Sequence, residues 1–156
     1  MPHTGTPASF DSTAYGRWSL GEAYGRSMIN DFNSGAEGWT DWNILLDERG
    51  GPNHVGNFCF APIHADTRTG NLIYTNSYYY IGHFSKFVRP GARRILASPS
   101  RSMLLATAFV NLDGTVAVVV MNPTARSGQY SVVVGSSSVE IGSRPHSIQT
   151  VVFKAR

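Results

Sequence analysis

The second half of the chain consists of short runs of β-forming residues that turn residues separate. Six candidate strands follow one another, at 93–98, 103–110, 115–121, 129–134, 137–141 and 147–153. Asp113-Gly114 lies between two of these runs and predicts a tight hairpin, because glycine adopts the positive φ that such a turn requires. This spacing of strands and turns predicts an antiparallel β-sandwich.

The first half has a different pattern and contains all three tryptophans of the chain. From Tyr15 to Phe32, apolar residues recur every three or four positions, which predicts an amphipathic helix. Gly38–Asp47 predicts a buried strand, because the run is short, aromatic and apolar. Asn53–Asn71 is typical of a long loop, and Tyr78–Phe87 predicts a second helix. We place a structural boundary at the Val88–Gly91 turn.

Length and composition exclude several classes of protein. At 156 residues the chain is shorter than a full (β/α)8 barrel, which takes about 250. A single cysteine excludes a disulfide framework. We expect no transmembrane segment, because the longest apolar run, Val116–Met121, is far shorter than a bilayer-spanning helix. No signal peptide is visible, and the net charge of +3 forms no basic stripe, so nucleic acid is not an expected partner.

The residues offer little recognisable catalytic chemistry. No metal and no cofactor is expected, since the histidines lack ligand spacing, and His83 is interpreted as a packed or capping residue. Cys59 lacks a nucleophile signature and reads as a small buried hydrophobe. Asp41 looks enclosed between Trp39 and Trp42, where a hydrogen-bonded structural acid is favoured over a catalytic one. No pair of carboxylates suggests an acid and a nucleophile.

Groups that suit sugars are concentrated in one part of the chain. They are aromatic and amide side chains on the predicted strand and the loop after it: Trp39, Trp42, Asn43, Asn53, Asn57 and Phe58. Aromatic faces cover the apolar faces of pyranose rings, and amides both donate to and accept from hydroxyls. Tryptophan also occurs in strands simply as core, so this pattern by itself is a weak indication.

Several motifs in order make the sequence recognisable. They are Gly38-Trp39-Thr40-Asp41-Trp42-Asn43, Gly50-Gly51-Pro52-Asn53 followed by Asn57-Phe58, the run Tyr79–Gly91, Asn111–Asn122 and the closing Ser147–Thr150. From about Tyr15 to its end, the chain resembles glycoside hydrolase family 30, in particular its glucosylceramidase-like branch. That family joins a (β/α)8 barrel to a β-sandwich and cleaves β-glycosides with retention of configuration.

The resemblance implies an α+β fragment with two parts. Residues 1–91 correspond to the C-terminal end of the barrel, and residues 92–156 to the antiparallel β-sandwich domain. Within the first part, Tyr15–Asn33 corresponds to helix 7, Gly38–Leu46 to strand 8 and Tyr78–Phe87 to helix 8.

The resemblance also implies a function and its residues. The family uses a glutamate acid/base after strand 4 and a glutamate nucleophile at the end of strand 7, and neither has a counterpart in this chain. Trp42, Asn57, Phe58 and Cys59 match or align with positions that contact substrate. We therefore expect the chain alone to be inactive, with a missing N-terminal barrel portion and a β-linked carbohydrate or glycolipid as partners of the intact enzyme. Family members are commonly secreted or lysosomal.

Two alternatives remain open. The chain could be a non-catalytic carbohydrate-binding β-sandwich module. It could also be a subunit that a separately encoded N-terminal half complements.

Overall fold

The computed structural model describes residues 12–52, 58–100 and 102–154. Within these ranges the chain forms a 3-10 helix (Ser12–Gly16), two α-helices and nine strands. The helices are α1 (Trp18–Asn33) and α2 (Asn76–Ser85). The strands are β1 (Leu45–Asp47), β2 (Ile63–Asp66), β3 (Asn71–Tyr74), β4 (Arg93–Ile95), β5 (Leu105–Val110), β6 (Thr115–Asn122), β7 (Gly128–Val134), β8 (Ser137–Ser143) and β9 (Ser147–Lys154).

The strands of the second half form a sandwich, as expected. Its large sheet is antiparallel with the order β4-β5-β6-β9, and its small sheet is the β7-β8 hairpin. The β5-β6 hairpin turns at Asp113-Gly114, where Gly114 has a φ of 78°. Asp113 Oδ1 accepts the backbone N–H of Thr115 at 2.9 Å. All six strands predicted after residue 92 are confirmed, with shifts of a few residues at their ends.

Strand β6 is buried on both of its faces. Val116, Val118 and Val120 pack towards Tyr130 and Val132 of β7. On the opposite face, Val119 and Met121 pack with residues of α1 and α2. Because both faces of β6 are covered, its sequence is a continuous apolar run and does not alternate between apolar and polar residues.

Two glycines of α1 let helix α2 approach closely. A Cβ atom built on Gly21 or Gly25 would lie 2.6 Å from the ring of Tyr80. That ring is fully buried in the core that the helices share with β6. Gly21 and Gly25 are four residues apart on one helix face, so their cost in helix propensity is offset by this packing.

Polar contacts join the helices to the large sheet. Glu22 Oε1 lies 2.7 Å from Nδ1 of His146, which precedes β9. On α2, His83 Nδ1 lies 2.9 Å from Oγ1 of Thr150. His83 is thus a packed residue at this junction, as predicted.

Two expectations for the first half are wrong in part. Gly38–Asp47 does not form a buried strand: only Leu45–Asp47 is a strand, and Trp42 and Ile44 are 76% and 73% exposed. The reason is that β2, the neighbour of β1, pairs only with those last three residues. The predicted loop Asn53–Asn71 contains strand β2, which pairs with β3 in a hairpin.

Candidate functional site

Trp42 lies between α1 and β1, and most of its side chain is exposed. Its backbone N–H donates to Asp41 Oδ1 at 2.8 Å, so Asp41 has the local hydrogen-bonding role that the sequence favoured. The expectation that Asp41 is enclosed is wrong, since the residue is exposed. Because residues 38–44 form no strand, no neighbouring strand covers it.

Tyr24 of α1 links two parts of the site. Its ring meets that of Trp39 edge to face, with 5.7 Å between centroids. Burial raises the pKa of Tyr24, a hydrogen bond to the Asp41 carboxylate raises it further, and Cys59 makes a smaller contribution in the same direction. Trp39 is held in turn by Asp31, whose Oδ2 accepts the indole N–H at 3.2 Å. Tyr24 therefore connects α1 to Trp39 and Asp41.

Phe58 and Cys59 follow the turn after β1. The Phe58 ring is 47% exposed, and one of its carbons lies 3.5 Å from the position of a Cβ on Gly51. The backbone N–H of Cys59 donates to the carbonyl of Gly50 at 3.0 Å. The Cys59 side chain is half-buried. Asn57, the remaining predicted sugar contact, lies outside the described residues.

The turn that carries Gly50 and Gly51 is organised by Asp47. Its Oδ1 accepts the backbone N–H groups of Arg49 and Gly51, both at 2.8 Å. Its backbone N–H donates to the carbonyl of Gly51 at 2.6 Å, and its carbonyl accepts the N–H of Gly50 at 3.0 Å. Asp47 thus fixes the chain immediately before the segment that leads to Phe58.

Most carboxylates of the described residues already have structural partners. Those that accept hydrogen bonds are Glu22, Asp31, Asp41, Asp47, Glu48, Asp66 and Asp113. Hydrogen bonds from Thr67 lower the pKa of Glu48, and those from Arg68 lower the pKa of Asp66. A general acid needs a raised pKa instead. These carboxylates are therefore suited to holding turns and helices in place.

A shallow cleft of about 610 Å³ lies between α2 and the segment before β1. Its lining includes Trp39, Asp41, Asn43, Tyr78, Tyr79 and Lys86. The predicted sugar contacts Trp42, Phe58 and Cys59 do not line it. The cleft and the predicted contacts are therefore two separate features of this surface.

The described part of the chain contains neither a candidate metal site nor a helix that could span a membrane. There, no three side chains of His, Cys, Asp or Glu come together in a way that could hold a metal ion. Neither helix described has the length and apolarity that crossing a membrane requires.

Sequence reasoning missed three residues that organise this site. Tyr24 was assigned only to the apolar stripe of a helix, and His64 received no role. Asp47 was placed at the end of a strand. A local signal for Asp47 exists, because an aspartate shortly before Gly50-Gly51 is suited to accept backbone N–H groups in a turn.

Two models of known protein domains match the chain. Residues 4–88 match the model of the glycosyl hydrolase family 30 TIM-barrel domain, and residues 91–151 match that of the family 30 beta sandwich domain. The chain belongs to glycosyl hydrolase family 30. The predicted fold class, the tail of a family 30 barrel followed by a β-sandwich, is thereby confirmed.

Similar proteins of the family are longer than this chain. The lysosomal acid glucosylceramidase of Mus musculus is 39% identical over 112 residues, which are 71% of this chain and 22% of that protein. The SrfJ structure from Salmonella typhimurium has a TM-score of 0.89 and 36% identity, and the match covers 96% of this chain and 34% of SrfJ. The structure of the endo-β1,6-glucanase BT3312 has a TM-score of 0.80 and 27% identity, over 87% of this chain and 31% of the glucanase.

Proposed function

We propose that this chain forms the C-terminal part of a retaining β-glycosidase of the glucosylceramidase or β-glucan hydrolase type. In this role it supplies the β-sandwich and part of the wall of the substrate pocket, through Trp42, Asn57, Phe58 and Cys59. The two catalytic glutamates come from other parts of the barrel, and the chain alone has no hydrolytic activity. The division between a barrel part at 1–91 and a sandwich part at 92–156 belongs to the same proposal.

The exposure of Trp42 is the observation that carries this proposal. An indole ring contributes a large apolar area when it is buried, so a tryptophan that is 76% exposed contributes little to the stability of this fold. Its flat face is available to a pyranose ring, whose C–H groups pack on aromatic surfaces. Phe58, 47% exposed, offers a second ring of the same kind.

The hydrogen bonding of the carboxylates supports the proposal that the chain alone does not hydrolyse glycosides. Retaining hydrolysis requires two carboxyl groups about 5–5.5 Å apart on either side of the scissile bond. Seven carboxylates of the described residues accept hydrogen bonds, and three of them, Glu48, Asp66 and Asp113, have a lowered pKa. Such groups are suited to structure and poorly suited to donating a proton to a leaving group.

Relatives support the substrate class. One is named a lysosomal acid glucosylceramidase and another an endo-β1,6-glucanase. The chain spans less than a third of the length of the curated relatives it matches. We therefore propose a β-linked glucoside, either a glycolipid or a glucan, as the substrate of the whole enzyme.

The first experiment uses the purified chain. We expect no hydrolysis of 4-nitrophenyl β-glucoside and no saturable binding in a calorimetric titration with soluble β-glucan. Hydrolysis that stays with the chain through further purification and disappears when the chain is unfolded would contradict the proposal. Saturable glucan binding by the chain alone would instead support the alternative, a carbohydrate-binding β-sandwich module.

The second experiment places the chain in a complete barrel. In a chimera, this chain replaces the matching third of the endo-β1,6-glucanase, and hydrolysis of β-1,6-glucan is measured. Trp42→Ala should lower kcat/KM about tenfold, as expected for the loss of an aromatic contact. Leu112→Ala is the matched control, because Leu112 is 82% exposed on the β5-β6 turn. Equal activity of the two variants would rule out a sugar contact at Trp42.

A further inference from the structure

We propose that Asp47 and His64 form a clamp that sets the position of Phe58 and Cys59. Asp47 ends β1, and His64 lies in the neighbouring strand β2. The importance of this position for sugar binding rests on the proposed function, whereas the clamp itself is a property of the fold. Asp47 and His64 are thus positioning residues, which act on the substrate wall through its backbone.

His64 is the centre of the clamp. Its side chain is completely buried, and each ring nitrogen faces a backbone group. Nδ1 lies 2.7 Å from the carbonyl oxygen of Asp47, and Nε2 accepts the N–H of Ala61 at 3.0 Å. Because a carbonyl can only accept and an N–H can only donate, the ring is neutral with its proton on Nδ1.

The clamp holds the segment at two points. At one end, the turn organised by Asp47 presents the carbonyl of Gly50 to the N–H of Cys59. At the other end, His64 holds the N–H of Ala61, two residues further along the chain. The backbone around Cys59 is therefore tied on both sides to groups that Asp47 fixes.

The rings of Tyr15 and Phe60 pack beside His64. Tyr15 lies against His64, with 4.8 Å between the ring centroids, and the ring of Phe60 lies 6.1 Å from that of His64. The Tyr15 hydroxyl donates to the carbonyl of Glu48 at 2.8 Å, at the start of the same turn. In such a buried site, a lost hydrogen bond leaves an unsatisfied group that water cannot easily reach.

Burying a histidine at this position costs free energy unless both ring nitrogens form hydrogen bonds. An apolar side chain would fill the interior of a small sheet without the desolvation of two ring nitrogens. The two nitrogens instead satisfy one group of β1 and one of the 58–61 segment, which no aliphatic residue can do. This directional link indicates positioning of the segment in addition to packing.

Cys59 is the only cysteine of the chain and reports directly on the segment. Its rate of labelling by Ellman's reagent depends on how often the half-buried thiol opens to solvent. In His64→Asn the amide nitrogen occupies the place of Nδ1, so the tie to Asp47 is kept and the tie to Ala61 is lost. In His64→Gln the amide oxygen reaches the place of Nε2, so the tie to Ala61 is kept.

We expect labelling of His64→Asn to be about fivefold to tenfold faster than that of the parent chain, because one buried hydrogen bond is lost. His64→Gln keeps the hydrogen bond to the labelled segment and loses only the one to Asp47, so its labelling should be clearly slower than that of His64→Asn. Asp47→Ala, which breaks the other end of the clamp and leaves His64 in place, should also accelerate labelling. Ile73→Ala is the matched control, since Ile73 pairs with His64 on β3, and its truncation weakens the packing of the sheet while removing neither hydrogen bond of the His64 ring.

Urea unfolding of each variant separates positioning from stability. The proposed clamp is contradicted if, at equal stability, labelling of His64→Asn is no faster than that of Ile73→Ala. It is also contradicted if His64→Gln and His64→Asn are labelled at the same rate. No sugar is present in this assay, so its outcome is independent of the glycosidase proposal. Conversely, an inert Trp42→Ala in the glucanase chimera would reject the proposed function and leave the clamp intact.

Discussion

Two regions of this molecule differ sharply in how they are held. At the junction of α1, α2 and the large sheet, Ile29, Tyr80 and Met121 are almost completely excluded from solvent. In the segment from Gly38 to β1, by contrast, Trp42 and Ile44 are mostly exposed. The junction forms an apolar core that stabilises the chain, and the exposed segment carries Trp42, one of the residues that we propose for sugar binding.

The difference shows that stability and proposed function depend on separate sets of residues. The junction core contains Met28 and Ile29 from α1, Tyr80 and Phe84 from α2, and Val119 and Met121 from β6. It therefore joins residues from both sides of the boundary predicted at Val88–Gly91. The boundary between two domains at this turn stays a prediction. The apolar core extends across it, because residues from both sides pack together.

The largest effect is expected at the centre of the junction. Met121→Ala removes a completely buried side chain and should lower the free energy of unfolding by about 2–5 kcal/mol. Val133→Ala, at an exposed position of β7, should change it by less than about 0.5 kcal/mol. Urea unfolding followed by circular dichroism measures both. Similar losses in the two variants would contradict the placement of the core at the junction.

A somewhat smaller effect is expected where the helices touch. Gly25→Ala adds a Cβ that would lie 2.6 Å from the Tyr80 ring, so it should destabilise the chain by about 1–3 kcal/mol. In Gly82→Ala of α2, the new Cβ meets no atom within 4 Å, and better helix propensity should stabilise by up to about 1 kcal/mol. The same unfolding experiment compares them. Opposite signs support the close helix contact, and equal signs argue against it.

The smallest effect is a pH dependence at the junction. Burial lowers the pKa of His83 below its ordinary value of 6.5. The unfolded chain therefore takes up this proton first as the pH falls, so the contribution is complete above pH 6.5 and is lost below it. Between pH 7.5 and 5.5, the parent chain should lose more stability than His83→Gln, in which a neutral side chain can still hydrogen-bond to Thr150.

All other ionisable groups are common to both proteins in this comparison. The difference in the loss of stability therefore isolates His83. An equal loss in the parent chain and in His83→Gln would show that burial of His83 is not coupled to folding.

The strands of the sandwich could be predicted from the sequence because their signals are local. Asp113-Gly114 specifies its turn regardless of what surrounds it, and the valine run of β6 has a high preference for strands. The two helices were also predicted, because their apolar positions repeat with the helical period.

The segment before β1 could not be predicted correctly, because its conformation depends on pairing. Its aromatic and apolar residues favour a strand, yet a strand forms only where a neighbour supplies hydrogen bonds, which is at Leu45–Asp47. The β2-β3 hairpin was missed for a different reason. Each of its strands has only four residues, too few to show a clear alternation.

The candidate site, too, could be predicted from the sequence only in part. The roles of Trp42, Phe58 and Cys59 come from resemblance to a family, since residue type alone marks only Trp42 and Phe58 as suited to sugars. Tyr24 reaches Asp41 and His64 reaches Asp47 through contacts across the fold that only the folded chain creates. A periodic pattern shows which face of a helix is buried, but it does not show which carboxylate a tyrosine hydroxyl reaches.

The burial of β6 on both faces has a consequence for synthesis of the protein. Ribosomes make the chain from its N-terminus, so α1 and α2 emerge before the sheet that covers them. From the end of α2 at Ser85 to the end of β9 at Lys154, about 70 residues remain to be added, which takes several seconds at about 5–20 residues per second. During that interval the helix surface that β6 covers in the folded chain lacks this cover, so we expect the nascent chain to be prone to aggregation.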